Sequence, residues 1–142
     1  MNQGDVDLIK RHEGYRPKVY KDHLGFETIG IGFKVSELYL DEEICDRILV
    51  QKLSSLELRI TQKFDWYANS HSIVKSVVLN MCYQMGLSGF SKFKKTIKLL
   101  SEGELYKASI EMLDSKWAKV QTPERAKELS RLLNNNRGET NE

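Results

Sequence analysis

Apolar positions along the chain change their period several times, and each change marks an element. Over residues 3–13, Val6 and Ile9 recur at helical spacing with Glu13 on the same face. Gln3 or Asp5 stands near the start, and Gly14 follows as a left-handed stop. Over 18–33 the pattern becomes that of a hairpin, with 18–21 as one strand, 22–25 as the turn and 26–33 as the return. Gly30 and Gly32 alternate inside that return strand, where glycine weakens pairing unless something must approach the backbone closely. The first helix and a substrate are the two candidates.

A polar link through Lys34 and Glu37 leads to a long helix capped near Asp41, with Glu42 and Glu43 in its first turn. Cys45, Leu49, Leu53, Leu56 and Ile60 form its apolar stripe. About twenty residues at roughly 1.5 Å each make a rod of about 30 Å, enough to tie an N-terminal α+β lobe to a helical one. Residues 69–72 then offer caps for a helix that is apolar around much of its circumference, from Ile73 to Met85, and that Gly86 ends. Shorter helices are predicted over about 90–100 and 104–113. The last opens at Thr122-Pro123-Glu124, a cap, a first-position proline and an acidic first turn. The pattern predicts one α+β domain. It has a hairpin lobe at about 12–40, a connecting helix at about 41–60, a helical lobe of about 61–133 together with residues 1–11, and a frayed polar tail over 134–142.

Composition narrows the classes. A chain of 142 residues with 40% apolar and 30% charged residues suits a globular domain that buries a core. Its net charge of +2 is too small to argue for nucleic acid, so a basic nucleic-acid binder is only a minor rival. The start is polar and no apolar run approaches the length that a bilayer needs. Neither a signal peptide nor membrane insertion is expected, and a substrate outside the cytoplasm would have to be reached by a separate route. Cys45 and Cys82 read as buried free thiols of a reducing compartment. His12, His23 and His71 show no ligand spacing, and neither a metal nor a cofactor is expected. Trp66 and Trp117 read as core residues. The lysines at 92, 94, 95 and 98 fall largely on one helical face. Solvation is the first reading of that face, and contact with carboxylates or phosphate-bearing polymers the second.

Three polar side chains stand where the backbone changes direction. Glu13 occupies the last turn of the first helix, where unpaired carbonyls make a negative charge unfavourable. Such a place suits a carboxyl that donates a proton, although it equally fits a solvated surface glutamate. Asp22 opens the hairpin turn, where its side chain can hold the next backbone amides, a structural role that does not exclude a chemical one. Thr28 on the return strand could hold a water beside Asp22, its hydroxyl being both donor and acceptor. A proton donor and a second carboxylate across a cleft are what glycosidic hydrolysis requires.

The residues around these three make the pattern specific. Glu-Gly-Tyr-Arg-Pro-Lys-Val-Tyr-Lys-Asp from Glu13 to Asp22, followed by Gly-Phe-Glu-Thr-Ile-Gly-Ile-Gly, closely resembles the catalytic stretch of the phage-type lysozymes, the endolysins of T-even phages. The resemblance continues through Asn80-Met81-Cys82-Tyr83-Gln84-Met85-Gly86, Ser115-Lys116-Trp117 and Gln121-Thr122-Pro123-Glu124-Arg125-Ala126.

It implies a lysozyme-like α+β fold. The activity it implies is that of an endo-acting muramidase, cutting with inversion the β-1,4 bond between N-acetylmuramic acid and N-acetylglucosamine. Glu13 matches the family's general acid, Asp22 the carboxylate across the cleft and Thr28 the threonine that positions water. Lys34, Tyr83, Gln84 and Thr96 fall among the sugar-contacting positions, and Arg125 matches an arginine near the acid. The implied partner is the glycan strand of peptidoglycan, and a monomer is expected. The chain would be made in a host cytoplasm and would reach the periplasmic wall through a separate pore.

The chain also departs from the family pattern. Phe33 replaces a histidine, and Lys34 and Glu111 stand where the family shows leucine and asparagine. The link after the hairpin is shorter, which trims one lip of the cleft, and 117–121 carries one extra residue. The modest net charge predicts weaker long-range attraction to anionic walls than a strongly basic lysozyme would have. These departures motivate the alternative of a peptidoglycan-binding or phage-structural module that kept the fold and lost turnover.

Overall fold

A computed structural model of the chain describes residues 1–136. The first helix, α1 (Gln3–Glu13), begins in a reciprocal cap. Asn2 accepts from the Asp5 amide at 3.1 Å, and the Asp5 carboxylate accepts from the Asn2 amide at 2.8 Å. Asn2 therefore does the work expected of Gln3 or Asp5. Gly14 ends the helix with φ 75° and ψ 179°. That is an extended conformation of positive φ rather than the left-handed helical stop, and glycine reaches it without a Cβ penalty.

Three antiparallel strands follow, β1 (Arg16–Lys21), β2 (Glu27–Gly30) and β3 (Phe33–Lys34), in the order β1-β2-β3. The β1–β2 register shifts between Arg16 and Tyr20, a stretch that contains Pro17, which has no amide to give. The predicted return strand is not continuous. Gly30 and Gly32, at φ 70° and 69°, reverse the chain through Ile31 so that Ile29 pairs with Phe33 and Thr28 with Lys34. Alternating glycines read as strand by period, but their positive φ makes a second hairpin of the sequence. A short 3-10 turn, Val35–Glu37, leads away.

The helix α2 (Glu42–Lys63) is capped by Asp41, whose carboxylate accepts from the Ile44 amide at 2.9 Å. Only Leu56 and Ile60 of its predicted stripe are buried, whereas Cys45 is exposed. The expectation that both thiols are buried therefore holds for Cys82 alone. Next, α3 (Ser72–Phe90) starts where the His71 ring nitrogen accepts from the Ile73 amide at 3.0 Å. Gly86 does not end this helix but kinks it, at φ 79° and ψ 158°, and a last turn runs on to Phe90. Two short helices follow, α4 (Lys94–Ser101) and α5 (Leu105–Glu111). A π turn, Trp117–Gln121, precedes α6 (Pro123–Asn135). Residues 134 and 135, expected in a frayed tail, are helical, and 137–142 lie outside the described residues.

By their internal contacts residues 1–46 form one compact unit and the described residues from 47 onward another. The apolar core belongs to the second. Ile60, Val77, Val78, Met81, Phe90, Met112 and Leu133 are fully enclosed there, and Phe90 stacks on Phe93 at 5.9 Å from Phe64. Within this core the Ser130 hydroxyl donates to the Ser109 carbonyl at 2.7 Å, joining α6 to α5. Burial pushes the Cys82 thiol up to about 12, with the charge of Arg59 opposing part of the rise. Among the described residues no helix is long and apolar enough to cross a membrane.

Candidate active site

The hairpin unit brings Glu13, Asp22, Thr28 and Lys34 onto adjoining pieces of backbone. Asp22 opens the β1–β2 turn as an Asx residue. One carboxylate oxygen, Oδ1, accepts from the amides of Leu24 and Phe26, each at 2.9 Å. The Phe26 amide hydrogen bond is the main reason that its carboxyl lies below the usual value. The Leu24 amide and the charges of His23 and Lys34 act in the same direction, against partial desolvation. Asp22 is thus an ionised carboxylate with Oδ1 committed to the turn, while Oδ2 makes no hydrogen bond to any described residue.

Thr28 is 3% exposed and donates its hydroxyl proton to the Phe26 carbonyl at 2.9 Å. The same carbonyl accepts from the Asp22 amide at 2.9 Å. A hydroxyl whose proton is committed offers only lone pairs. Thr28 can therefore hold a water by accepting from it, a narrower role than the donor-and-acceptor one expected from sequence. Phe26 was not singled out by sequence, yet its amide and carbonyl set both groups. The signal available was its place four residues after a turn-opening aspartate.

Glu13 lies against the β2–β3 turn. A Cβ on Gly32 would overlap the Glu13 carboxylate, so the missing side chain leaves the space that this group occupies. Of the two alternating glycines, Gly32 is approached closely by the first helix, whereas Gly30 is approached by the Phe33 ring. Lys34 pairs with Thr28 across the strands and carries its ammonium 4.7 Å from the centre of the Phe26 ring. Phe33, Lys34, Glu37 and Tyr39 line a pocket of about 320 Å³ that reaches Gly32.

The helical unit holds the other predicted contacts, in three separate places. Tyr83 and Arg125 share a pocket of about 320 Å³ with Leu49, Leu53 and Asn80. Asn80 fixes the arginine, accepting from its Nε at 2.8 Å through the side chain and from Nη2 at 3.3 Å through the backbone. Gln84 is committed at both ends, since its Oε1 accepts from the Trp117 indole at 2.9 Å and its Nε2 donates to the Thr122 hydroxyl at 3.2 Å. It bridges the two ends of the π turn, which closes through the Thr122 amide and the Trp117 carbonyl at 2.9 Å. The Thr122 hydroxyl, expected to cap α6, is engaged with Gln84 instead. Thr96 is enclosed at the first turn of α4, on a further pocket of about 340 Å³ that Glu111 also lines.

Comparison with known proteins agrees with the motif reading. The sequence model described as phage lysozyme matches residues 10–139. The chain is 28% identical over 149 residues to probable T4-type lysozyme 2 of Dictyostelium discoideum, which covers 84% of this chain and 87% of that protein. It is 29% identical to probable T4-type lysozyme 1 of the same organism, with the same coverage. A third relative is the pre-baseplate central spike protein Gp5 of Enterobacteria phage T4. It is 28% identical over 160 residues, which span 93% of this chain and 28% of the spike protein. With a family match that begins at the end of α1 and runs through the hairpin and the helical unit, and with an α+β lysozyme-like architecture, the chain belongs to the phage lysozyme family.

Proposed function

We propose that this chain is an endo-acting lysozyme that hydrolyses the β-1,4 bond between N-acetylmuramic acid and N-acetylglucosamine in peptidoglycan, with inversion. The observation that carries the reading is the shared seat of Asp22 and Thr28 on the Phe26 backbone. It places an ionised carboxylate, with one oxygen uncommitted, beside a hydroxyl able only to accept. A water can give one proton to each, which turns its lone pair toward a sugar carbon. Inversion needs such a water on the face opposite the proton donor. Glu13 would protonate the leaving oxygen, and Asp22 would take the proton of the attacking water. In the helical unit Tyr83 would contact the glycan, and Arg125, which lines the same pocket, is oriented by Asn80.

In this reading the enzyme serves host lysis by a phage. It is made in the host cytoplasm and acts on the periplasmic wall after passing a separate pore. Mass analysis of fragments released from purified peptidoglycan tests the chemistry. Reducing muramic-acid ends are expected from the wild type and none from Glu13→Gln. Anhydro-muramic ends or cleaved stem peptides would assign another reaction. A second reading is a wall-binding module of a virion, favoured by the alignment of nearly the whole chain with one segment of a spike protein. It predicts tight wall binding with equal, negligible turnover by wild type and Glu13→Gln.

A further inference from the structure

Lys34 takes part twice in the arrangement that seats Asp22 and Thr28. Its backbone pairs with Thr28 across β2 and β3, and its side chain reaches Phe26. Cross-strand partners point to one face of a sheet, and so do residues two apart along a strand. Tyr20, Thr28 and Lys34 are successive partners across β1, β2 and β3, so they stand on one face, with Phe26 two positions before Thr28. Thr28 is enclosed in the middle of that row, whereas Phe26 and Lys34 are exposed.

The Lys34 ammonium lies 4.7 Å from the centre of the Phe26 ring, within the range at which a cation is held over an aromatic face. It makes no hydrogen bond or ion pair with any described residue, so nothing else there competes for its charge. Phe26 has the opposite need. Its ring is 49% exposed and has few neighbours to fix it. Its backbone, in contrast, carries three hydrogen bonds. The amide donates to Asp22 Oδ1, and the carbonyl accepts from the Asp22 amide and the Thr28 hydroxyl. A side chain free to swing would leave that residue held from its backbone alone. The lysine, whose own backbone is fixed opposite Thr28, supplies the second hold. A leucine, which the family shows here, would fill the place without a charge for the ring.

We infer that Lys34 is a positioning residue of the hairpin site, which clamps the Phe26 ring and so holds the backbone that sets Asp22 and Thr28. The lysine acts from behind the two reacting groups, at a place where resemblance alone points to a sugar contact. The use of that backbone to activate water rests on the lysozyme reading; the clamp does not.

Four variants of the full chain test the inference: Lys34→Met, Lys34→Arg, Phe26→Leu and the double variant of Lys34→Met with Phe26→Leu. The first readout is hydrogen exchange of the amide at position 26, which is bonded to Asp22. Exchange should speed roughly threefold in Lys34→Met and stay near wild type in Lys34→Arg, which keeps a cation for the ring. The double variant should exchange no faster than Phe26→Leu alone. The second readout is fragment release from purified peptidoglycan. In Lys34→Met kcat should fall roughly threefold or more with KM within about twofold of wild type, and Lys34→Arg should recover most of the loss. Unchanged exchange in Lys34→Met would overturn the inference, as would losses that multiply in the double variant. A raised KM with unchanged kcat would also overturn it and return the lysine to the sugar site. Exchange is read without turnover, so the two readings fail separately. A chain with the expected exchange that leaves glycan intact overturns only the lysozyme reading. One that cleaves glycan with unchanged exchange in Lys34→Met overturns only this one.

Discussion

Asp22 and Thr28 meet at a single atom, the carbonyl oxygen of Phe26, which accepts the amide of the first and the hydroxyl of the second, each at 2.9 Å. One turn residue thus sets the relative position of a carboxylate and a hydroxyl six residues apart in the chain. Thr28→Val keeps the shape but loses the hydroxyl, and the buried hydrogen bond lost is worth about 1 kcal/mol. A water held less well should cost roughly 100-fold in kcat. Steady-state kinetics beside urea denaturation separate the two effects. Full activity in a folded Thr28→Val would remove the threonine from the mechanism.

Gly32 and Gly25 make a matched pair for the role of Glu13. Both have positive φ, 69° and 86°, so alanine at either should lose about 1–2 kcal/mol. Only at Gly32 would the new Cβ collide with the Glu13 carboxylate; at Gly25 it meets nothing within 4 Å. Gly25→Ala should therefore keep wild-type turnover below its melting temperature, while Gly32→Ala should lose most of it. Equal turnover in the two variants would show that the position of Glu13 is not critical.

The pH dependence of Asp22 follows from its hydrogen bonds. The Phe26 amide, then that of Leu24, then the charges of His23 and Lys34 favour the ionised form in the folded chain. The folded pKa therefore lies below the unfolded one, and the unfolded chain binds more protons as pH falls. The resulting stability is complete above the unfolded carboxylate value and is lost as pH drops through the folded one. Carboxyl-carbon NMR should give Asp22 a midpoint below the usual value, and Lys34→Met should raise it. A midpoint above that value would contradict the turn geometry.

The two cysteines should differ in reactivity. Cys82 is enclosed, with its thiol pushed up to about 12, while Cys45 is exposed. A thiol reagent should modify one cysteine per native chain and both after unfolding, and Cys45→Ser should abolish the native reaction.

Gln84 ties Trp117 to Thr122 and so joins α3 to both ends of the π turn. Gln84→Leu leaves a buried indole N–H and a hydroxyl without partners, which should destabilise the fold by about 1–3 kcal/mol. Chemical denaturation checks it, and a change below a few tenths of a kcal/mol would mean that water replaces the amide.

Sequence made the fold legible wherever a cap or a period acts alone. Asp41 before α2, Pro123 at the first position of α6 and the length of α1 lie where their local chemistry puts them. It misled where one residue type serves two conformations. Gly30 and Gly32 fit a strand by alternation but turn the chain by φ, and Gly86 fits a stop but makes a kink. Cys45 follows the apolar stripe of α2, yet periodicity reports a face of the helix and not what covers it. At the site, the residue types of Asp22 and Thr28 were visible in the motif. Phe26 was not, because it acts through its backbone, which carries no signature in a side-chain alphabet.

The π turn at Trp117–Gln121 bears on how this chain tolerates change in length. An extra residue taken into an α-helix rotates everything after it by about 100°. The wider loop absorbs the residue locally instead, so that Thr122 and the start of α6 keep their bearing on Gln84. Insertion here is thus decoupled from the orientation of Arg125 one turn later. A gain or loss of one residue, ruinous inside any neighbouring helix, is at this point a change of loop width alone.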